Sequence, residues 1–224
     1  MPFRDRVDAG RRLARALARY AEDEVVVLAL PRGGAPVAAE VAAALGAPLE
    51  LLLVRKIGCP FQPELAMGAV VDGTQPIVVR NEDVIRAAAV SEVEFDDARR
   101  KELAEIERRR SRYLGGRAPV EVEARTVIVI DDGLATGATM RAALRALRNR
   151  RPRKIVLAVP VAPTGTLGEM RGEADEVVCL EDYGFFGAIG AYYDDFRQIT
   201  DEELIAILAR FAGWDAGSKA KSSP

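Results

Sequence analysis

Four short apolar runs, the second interrupted by Glu50, set the tightest limit on how this chain can fold. Val25–Leu30, Leu49–Val54, Val127–Ile130 and Ile155–Val161 are rich in Val, Ile and Leu and are bounded by charged residues, Gly or Pro. At that length and composition they read as strands buried on both faces of a sheet. Between the members of each pair lies a helical stretch, Ala-rich up to Leu45 with a Gly46 stop, and Gly137 to Asn149. A connection of that length permits only a β-α-β crossover between parallel strands. A short helix through Leu167 and Met170 and a strand over Glu176 to Leu180 extend the series. The expected fold class is α/β, a mostly parallel sheet flanked by helices.

The remaining segments decorate that core. Phe3, Val7, Leu13 and Leu17 recur at roughly helical spacing and predict an amphipathic packing helix ending near Tyr20. Arg55 and Lys56 precede a Pro-containing loop, Ile57 to Pro63, and Ala69–Val71 and Ile77–Val79 flank Asp72-Gly73 as a hairpin or flap. From Glu82 to Tyr113 the sequence predicts one long helix with Asp96/Arg100, Asp97/Lys101 and Glu105/Arg109 at i,i+4. Interleaved signs make that a solvated face rather than a nucleic-acid patch. Gly115, Gly116 and Pro119 break the chain, and Thr200-Asp-Glu-Glu203 predicts a capping box for a last helix ending near Phe211. One domain is expected over residues 1–213, followed by a polar, disordered tail over 214–224.

Composition removes several chemistries. The 224 residues contain no histidine and only two cysteines, Cys59 and Cys179, so a Ser-His-Asp triad and a His-ligated zinc are excluded. No CxxC, apolar leader or run of bilayer length occurs, which leads to the expectation of a cytoplasmic protein without membrane partners. With 32 Lys+Arg against 34 Asp+Glu, net charge −2, no global nucleic-acid-binding charge exists.

The segment carrying most chemistry is Val127-Ile-Val-Ile-Asp131-Asp132-Gly133-Leu134-Ala135-Thr136-Gly137-Ala138-Thr139-Met140. A buried strand delivers two adjacent carboxylates to the carboxyl edge of the sheet, where open α/β sheets bind ligands, and a loop of small residues then opens a helix. Gly133, Ala135, Gly137 and Ala138 let backbone N–H groups approach a phosphate, the helix N-terminus favours negative charge, and Thr136 and Thr139 add hydroxyls. The carboxylates suit neighbouring hydroxyls of a sugar. No Lys follows the Gly as in a Walker A loop.

This segment resembles the PRPP-binding signature of type I phosphoribosyltransferases, which move a 5-phosphoribosyl group from PRPP to a nitrogenous base and release pyrophosphate. The overall likeness is to bacterial members of unassigned acceptor. The resemblance implies that Asp131 and Asp132 hold the ribose hydroxyls and that the loop over Gly133, Leu134, Ala135, Thr136, Gly137, Ala138 and Thr139 binds PRPP. It implies a pyrophosphate loop at Pro31-Arg32-Gly33-Gly34, a basic pair Arg55-Lys56 with Lys56 catalytic, and a base-covering hood over Tyr183 to Phe196 in which Phe185 and Phe186 are the stacking candidates. Mg²⁺ is the implied cofactor, bridging substrate oxygens rather than held in a protein cage.

Each fragment also has a plainer reading. Arg32 can serve as a helix cap or surface residue, Arg55-Lys56 as a solvated pair, Glu64 as a surface carboxylate, and any hood ring as core. Members acting on 6-oxopurines usually carry an acid where this chain has Ala135, which is similar to the adenine-type signature, yet the stretch after Lys56 is shorter and richer in Pro. The acceptor base, purine or pyrimidine, therefore stays open, as does a homo-oligomeric state. Two rival functions use the same grips: a non-catalytic PRPP or nucleotide sensor, and hydrolysis or synthesis at another phosphosugar.

Overall fold

The computed structural model describes residues 2–73 and 76–214. In chain order, helix α1 (Arg6–Ala16) is followed by β1 (Val25–Ala29), α2 (Gly34–Leu45) and β2 (Leu49–Leu51). An insertion follows, made of β3 (Val54–Cys59), β4 (Gln62–Val71), β5 (Ile77–Arg80), α3 (Glu82–Ala87) and α4 (Glu92–Leu114). The chain then returns through β6 (Thr126–Ile130), α5 (Ala138–Arg148), β7 (Lys154–Pro163), α6 (Thr164–Met170), β8 (Glu176–Tyr183) and α7 (Asp201–Ala209).

Strands β2, β1, β6, β7 and β8 lie in that order in one parallel sheet. Alternation assigns the faces: Val25, Val27, Ala29, Ile128 and Ile130 join the core under α1, α2 and α7, while Val26, Leu28, Leu30, Val127 and Val129 pack with α5 and α6. Each such fully buried aliphatic side chain contributes ~1.5–3 kcal/mol relative to exposure. Helix α2 carries the chain outward from β1 to β2, and α5 carries it the opposite way, from β6 to β7. Winding therefore reverses between β1 and β6, whose ends meet with Ala29 opposite Ile130. Such a reversal leaves a crevice outside the carboxyl ends of the two strands.

The second sheet is antiparallel, in the order β3-β4-β5. Ile57, Met67 and Val70 turn inward with Phe95 of α4, and Val54, Val71, Ile77 and Val79 pack with the α5 side of the core.

Four local expectations are corrected. The run Leu49–Val54 is not one strand: β2 ends at Leu51 and β3 starts at Val54 in the other sheet. The Ile57–Pro63 segment is not a loop but the tip of the β3–β4 hairpin, with register shifts on either side of Gly58 that absorb the prolines. The long helix is two, because Ala89 takes φ +50° and Ser91 with Glu94 forms a fresh capping box that starts α4. Asp96 and Asp97 pair at i,i+3 with Arg99 and Arg100, whereas Glu105 bonds Arg109 at i,i+4 as expected. The Thr200 capping box on α7 forms with Glu203. Of the expected tail, residues 215–224 lie outside the described residues.

Candidate functional site

The crevice between β1 and β6 is where the two Gly-containing loops meet. Asp131 and Asp132 leave the end of β6, and the amide of Asp132 donates to Asp131 Oδ1 at 2.8 Å. Gly33 lies flat against the second acid: a Cβ there would sit 2.0 Å from Asp132 Oδ2, and one on Gly34 would sit 2.7 Å from the Ile130 carbonyl oxygen. Only residues without a Cβ allow this approach. Asp132 is buried; its Oδ2 accepts from Arg6 Nε at 2.7 Å, and its carbonyl oxygen accepts from the Tyr193 hydroxyl at 2.6 Å. Burial and the neighbouring Asp132 carboxylate push Asp131 well above the ordinary carboxylate pKa, with Arg6 opposing. Burial likewise pushes the Tyr193 phenol up, which keeps it a hydroxyl donor.

Beyond the acids the chain builds an open cradle. Leu134 is buried, and its amide is bonded to the Val161 carbonyl at 2.9 Å. Gly137 takes φ +70° and caps α5 without a side-chain bond. Among the described residues, the amides of Ala135, Thr136, Gly137, Ala138 and Thr139 donate to no protein group. Ala135, Thr136, Ala138 and Thr139 are exposed. Unpaired N–H groups in sequence at the start of a helix form an anion seat.

Cations surround the crevice, each tied to a carboxylate of the chain. Arg32 reaches Asp201 at the start of α7 at 3.2 Å. Asp201 also accepts from the Tyr113 hydroxyl and pairs with Arg112, both at 2.8 Å, and the Tyr113 bond first, then these cations, hold its carboxyl below the usual range. Arg55 pairs with Glu102 of α4 at 2.7 Å, and Lys56 pairs with Glu64 at 3.0 Å. Lys56, Ala138 and Thr139 share a cavity of about 380 Å³ between the antiparallel sheet and α5, with Arg80 and Arg141 on its wall. A smaller space of about 40 Å³ brings Pro31, Arg55 and Thr139 together. The chain thus gathers both loops and the basic pair at one edge, while the Arg32 side chain turns aside to α7.

The hood candidates separate. Phe185 is 94% exposed, whereas Phe186 stacks on Tyr192 with ring centroids 4.8 Å apart, so one of its faces is already used. Arg6 and Asp201 are site neighbours that sequence reasoning missed, and Tyr193, placed in the hood by the sequence, turns its hydroxyl to the Asp132 carbonyl instead. Arg6 and Asp132 lie 126 positions apart and Arg32 and Asp201 lie 169 apart, with no local pattern linking either pair.

A divalent cation fits this donor set only with help from a ligand. Among the described residues no group of three or more carboxylates and thiols is placed to hold a metal. Two adjacent carboxylates beside an anion seat match Mg²⁺, which takes most of its ligands from phosphate oxygens and water. No helix among the described residues is long and apolar enough to cross a membrane.

Comparison with known proteins agrees with the geometry. Residues 4–197 match the phosphoribosyl transferase domain. The "Putative phosphoribosyl transferase Rv0571c" of Mycobacterium tuberculosis strain H37Rv is 47% identical over 208 residues, which are 93% of this chain and 46% of that protein. The chain thus spans about half the length of this curated relative. The crystal structure of TT1426 from Thermus thermophilus superposes with a TM-score of 0.84 at 42% identity, covering 95% of this chain and 100% of that one. With a domain match that takes in both Gly-containing loops and the hood, the chain belongs to the phosphoribosyl transferase domain family.

Proposed function

We propose that this chain transfers the 5-phosphoribosyl group of PRPP to a nitrogenous base and releases pyrophosphate. One observation carries the reading: five amides from Ala135 to Thr139 whose N–H groups have no protein acceptor stand beside two adjacent carboxylates at the winding reversal of a parallel sheet. A phosphate seat next to a polyol grip matches the two ends of ribose 5-phosphate. The family and the name of the curated relative support the same chemistry.

In this mechanism the 5-phosphate sits on the Ala135–Thr139 amides, and Asp131 and Asp132 accept from the ribose hydroxyls. The bond between C1 and the pyrophosphate oxygen breaks, a bond from a base nitrogen to C1 forms, and the base loses a proton. Positive charge grows on the ring meanwhile, so fixed carboxylates nearby are worth more in the transition state than in the ground state. Arg55, Lys56 and Arg32 take the departing pyrophosphate after exchanging Glu102, Glu64 and Asp201 for phosphate oxygens, with Gly33 and Gly34 leaving their backbone open to it. Asp131 and Asp132 would help hold Mg²⁺, which when bound would supply charge neutralisation of the pyrophosphate. Phe185 has a free ring for the base.

A second reading, a PRPP- or nucleotide-binding regulator, draws on the fact that all three of these cations are neutralised internally. Pyrophosphate release from PRPP with Mg²⁺ across a panel of purines and pyrimidines, alongside calorimetric PRPP binding, separates the two. Base-dependent release that Asp131→Asn abolishes supports the transferase. Tight binding with no release for any base supports the regulator, and no binding of PRPP eliminates both.

A further inference from the structure

We propose that Arg6 is a positioning residue of the ribose grip, holding Asp132 so that one carboxylate oxygen is fixed and the other is presented to the ligand. The proposal rests on the phosphoribosyl-transfer reading above and concerns a residue outside both loops. Arg6 sits in the first turn of α1 and is buried. Its Nε donates to Asp132 Oδ2 at 2.7 Å, its Nη1 donates to the Arg197 carbonyl oxygen at 2.8 Å, and its guanidinium lies 3.9 Å over the Phe196 ring. Three fixed contacts define one side-chain geometry.

The partner side is equally constrained. Gly33 backs the Asp132 carboxylate, and the Tyr193 hydroxyl holds its backbone. Asp132 Oδ1 receives no N–H or hydroxyl donor among the described residues, and neither does Asp131 Oδ2. Each acid thus has one oxygen engaged by an N–H of the chain, and the two carboxyls lie within hydrogen-bond reach of each other, a contact that two neighbouring hydroxyls would replace. Segment 3–4 ties the same neighbourhood together from the other side. Phe3 N donates to Tyr192 O at 2.7 Å, Asp194 N to Phe3 O at 2.8 Å, and Asp195 N to Arg4 O at 2.9 Å. The hood and the acids therefore share one anchor, and Arg6 is where they meet.

A buried cation with a purely structural role and one that positions Asp132 give different results. Arg6→Lys keeps the charge but has a single nitrogen, which cannot reach Asp132 and Arg197 in the same geometry. The measurements are thermal unfolding, calorimetric PRPP binding with Mg²⁺, and the KM for PRPP against kcat. The wild type, Arg6→Lys and Arg6→Met are compared, and Arg6→Met/Asp132→Asn removes the unpaired buried acid that Arg6→Met leaves. The positioning role predicts that Arg6→Lys stays folded and weakens PRPP roughly tenfold, as expected for a lost charge-assisted bond. It also predicts that the KM for PRPP rises in Arg6→Lys by more than kcat falls, because the contact it loosens holds the ribose grip.

PRPP affinity and KM equal to wild type in a folded Arg6→Lys would overturn the proposal while leaving the transferase reading intact. A double variant that regains stability and PRPP affinity together would show Arg6 to be structural. A wild type that binds no PRPP would remove the functional reading and this inference with it.

Discussion

On the signature side of the crevice, Arg6 and Asp132 meet with side chains 9% and 11% exposed, whereas on the opposite side Lys56 and Glu64 meet with side chains 40% and 94% exposed. Both are ion pairs at hydrogen-bond distance, yet they do different physical work. Taking one partner from a buried pair strands a charge and costs ~3–5 kcal/mol, while an exposed pair is worth ~0–1 kcal/mol and exchanges readily. The Asp132 side is held in place before any ligand arrives. On the other side Lys56 rests on a weak, replaceable partner, which on the proposed reading suits a group that must let go of pyrophosphate again.

The sharpest way to break this comparison is Asp131→Asn. Replacing one acid of the proposed ribose grip should cut base-dependent pyrophosphate release ~10²–10³-fold. The same change removes a carboxyl that the fold disfavours as an anion, so the melting temperature at neutral pH should rise, by ~2–4 °C. Gly33→Ala tests the same side by packing. With no room for a methyl group against Asp132, about 1–3 kcal/mol of stability and most PRPP affinity should be lost, read by denaturant unfolding and calorimetry.

Lys56→Ala probes the exposed side and should reverse the pattern. Turnover is expected to fall ~10–100-fold with the melting temperature within ~1 °C of wild type, since the pair it breaks is solvated. The pH dependence of stability gives a finer contrast. Asp131 has a raised pKa when folded, so over the range between its ordinary and raised values the native state holds more protons than the unfolded chain. Stability from this group is complete below the ordinary value and declines as pH rises through the raised one. Melting curves should show that decline in the wild type and not in Asp131→Asn. The smallest effect belongs to Glu64→Gln, which should change turnover by less than ~3-fold, because it only releases a lysine that pyrophosphate would release anyway.

The parallel sheet was legible because strands buried on both faces leave continuous apolar runs, and β1, β6 and β7 coincide with such runs to within a few residues. The insertion was harder. Its β3–β4 hairpin carries Gly58, Pro60 and Pro63 in a twisted, bulged tip that looks like loop chemistry, and it forms because α4 covers Ile57 and Met67. The split between α3 and α4 had a local signal, the Ser91–Glu94 capping box, that the charge run around it concealed. For the site, the loop over Asp131–Thr139 could be read because one strand-to-helix turn contains its acids and amides together. Arg6 and Asp201 had no such neighbourhood, since each reaches its partner only after the whole sheet has brought distant segments together.

That dependence has a kinetic side. The central pair of the sheet, β1 and β6, joins Val25 to Thr126, so a single intervening loop holds α2, β2, the antiparallel sheet, α3 and α4. Closing so long a loop adds little to the equilibrium cost but much to the search, and pairings of this kind form late. The ligand crevice lies along that same seam. An unfinished chain therefore displays neither cluster in working form, and on the proposed reading PRPP meets a complete site only in molecules whose folding is finished.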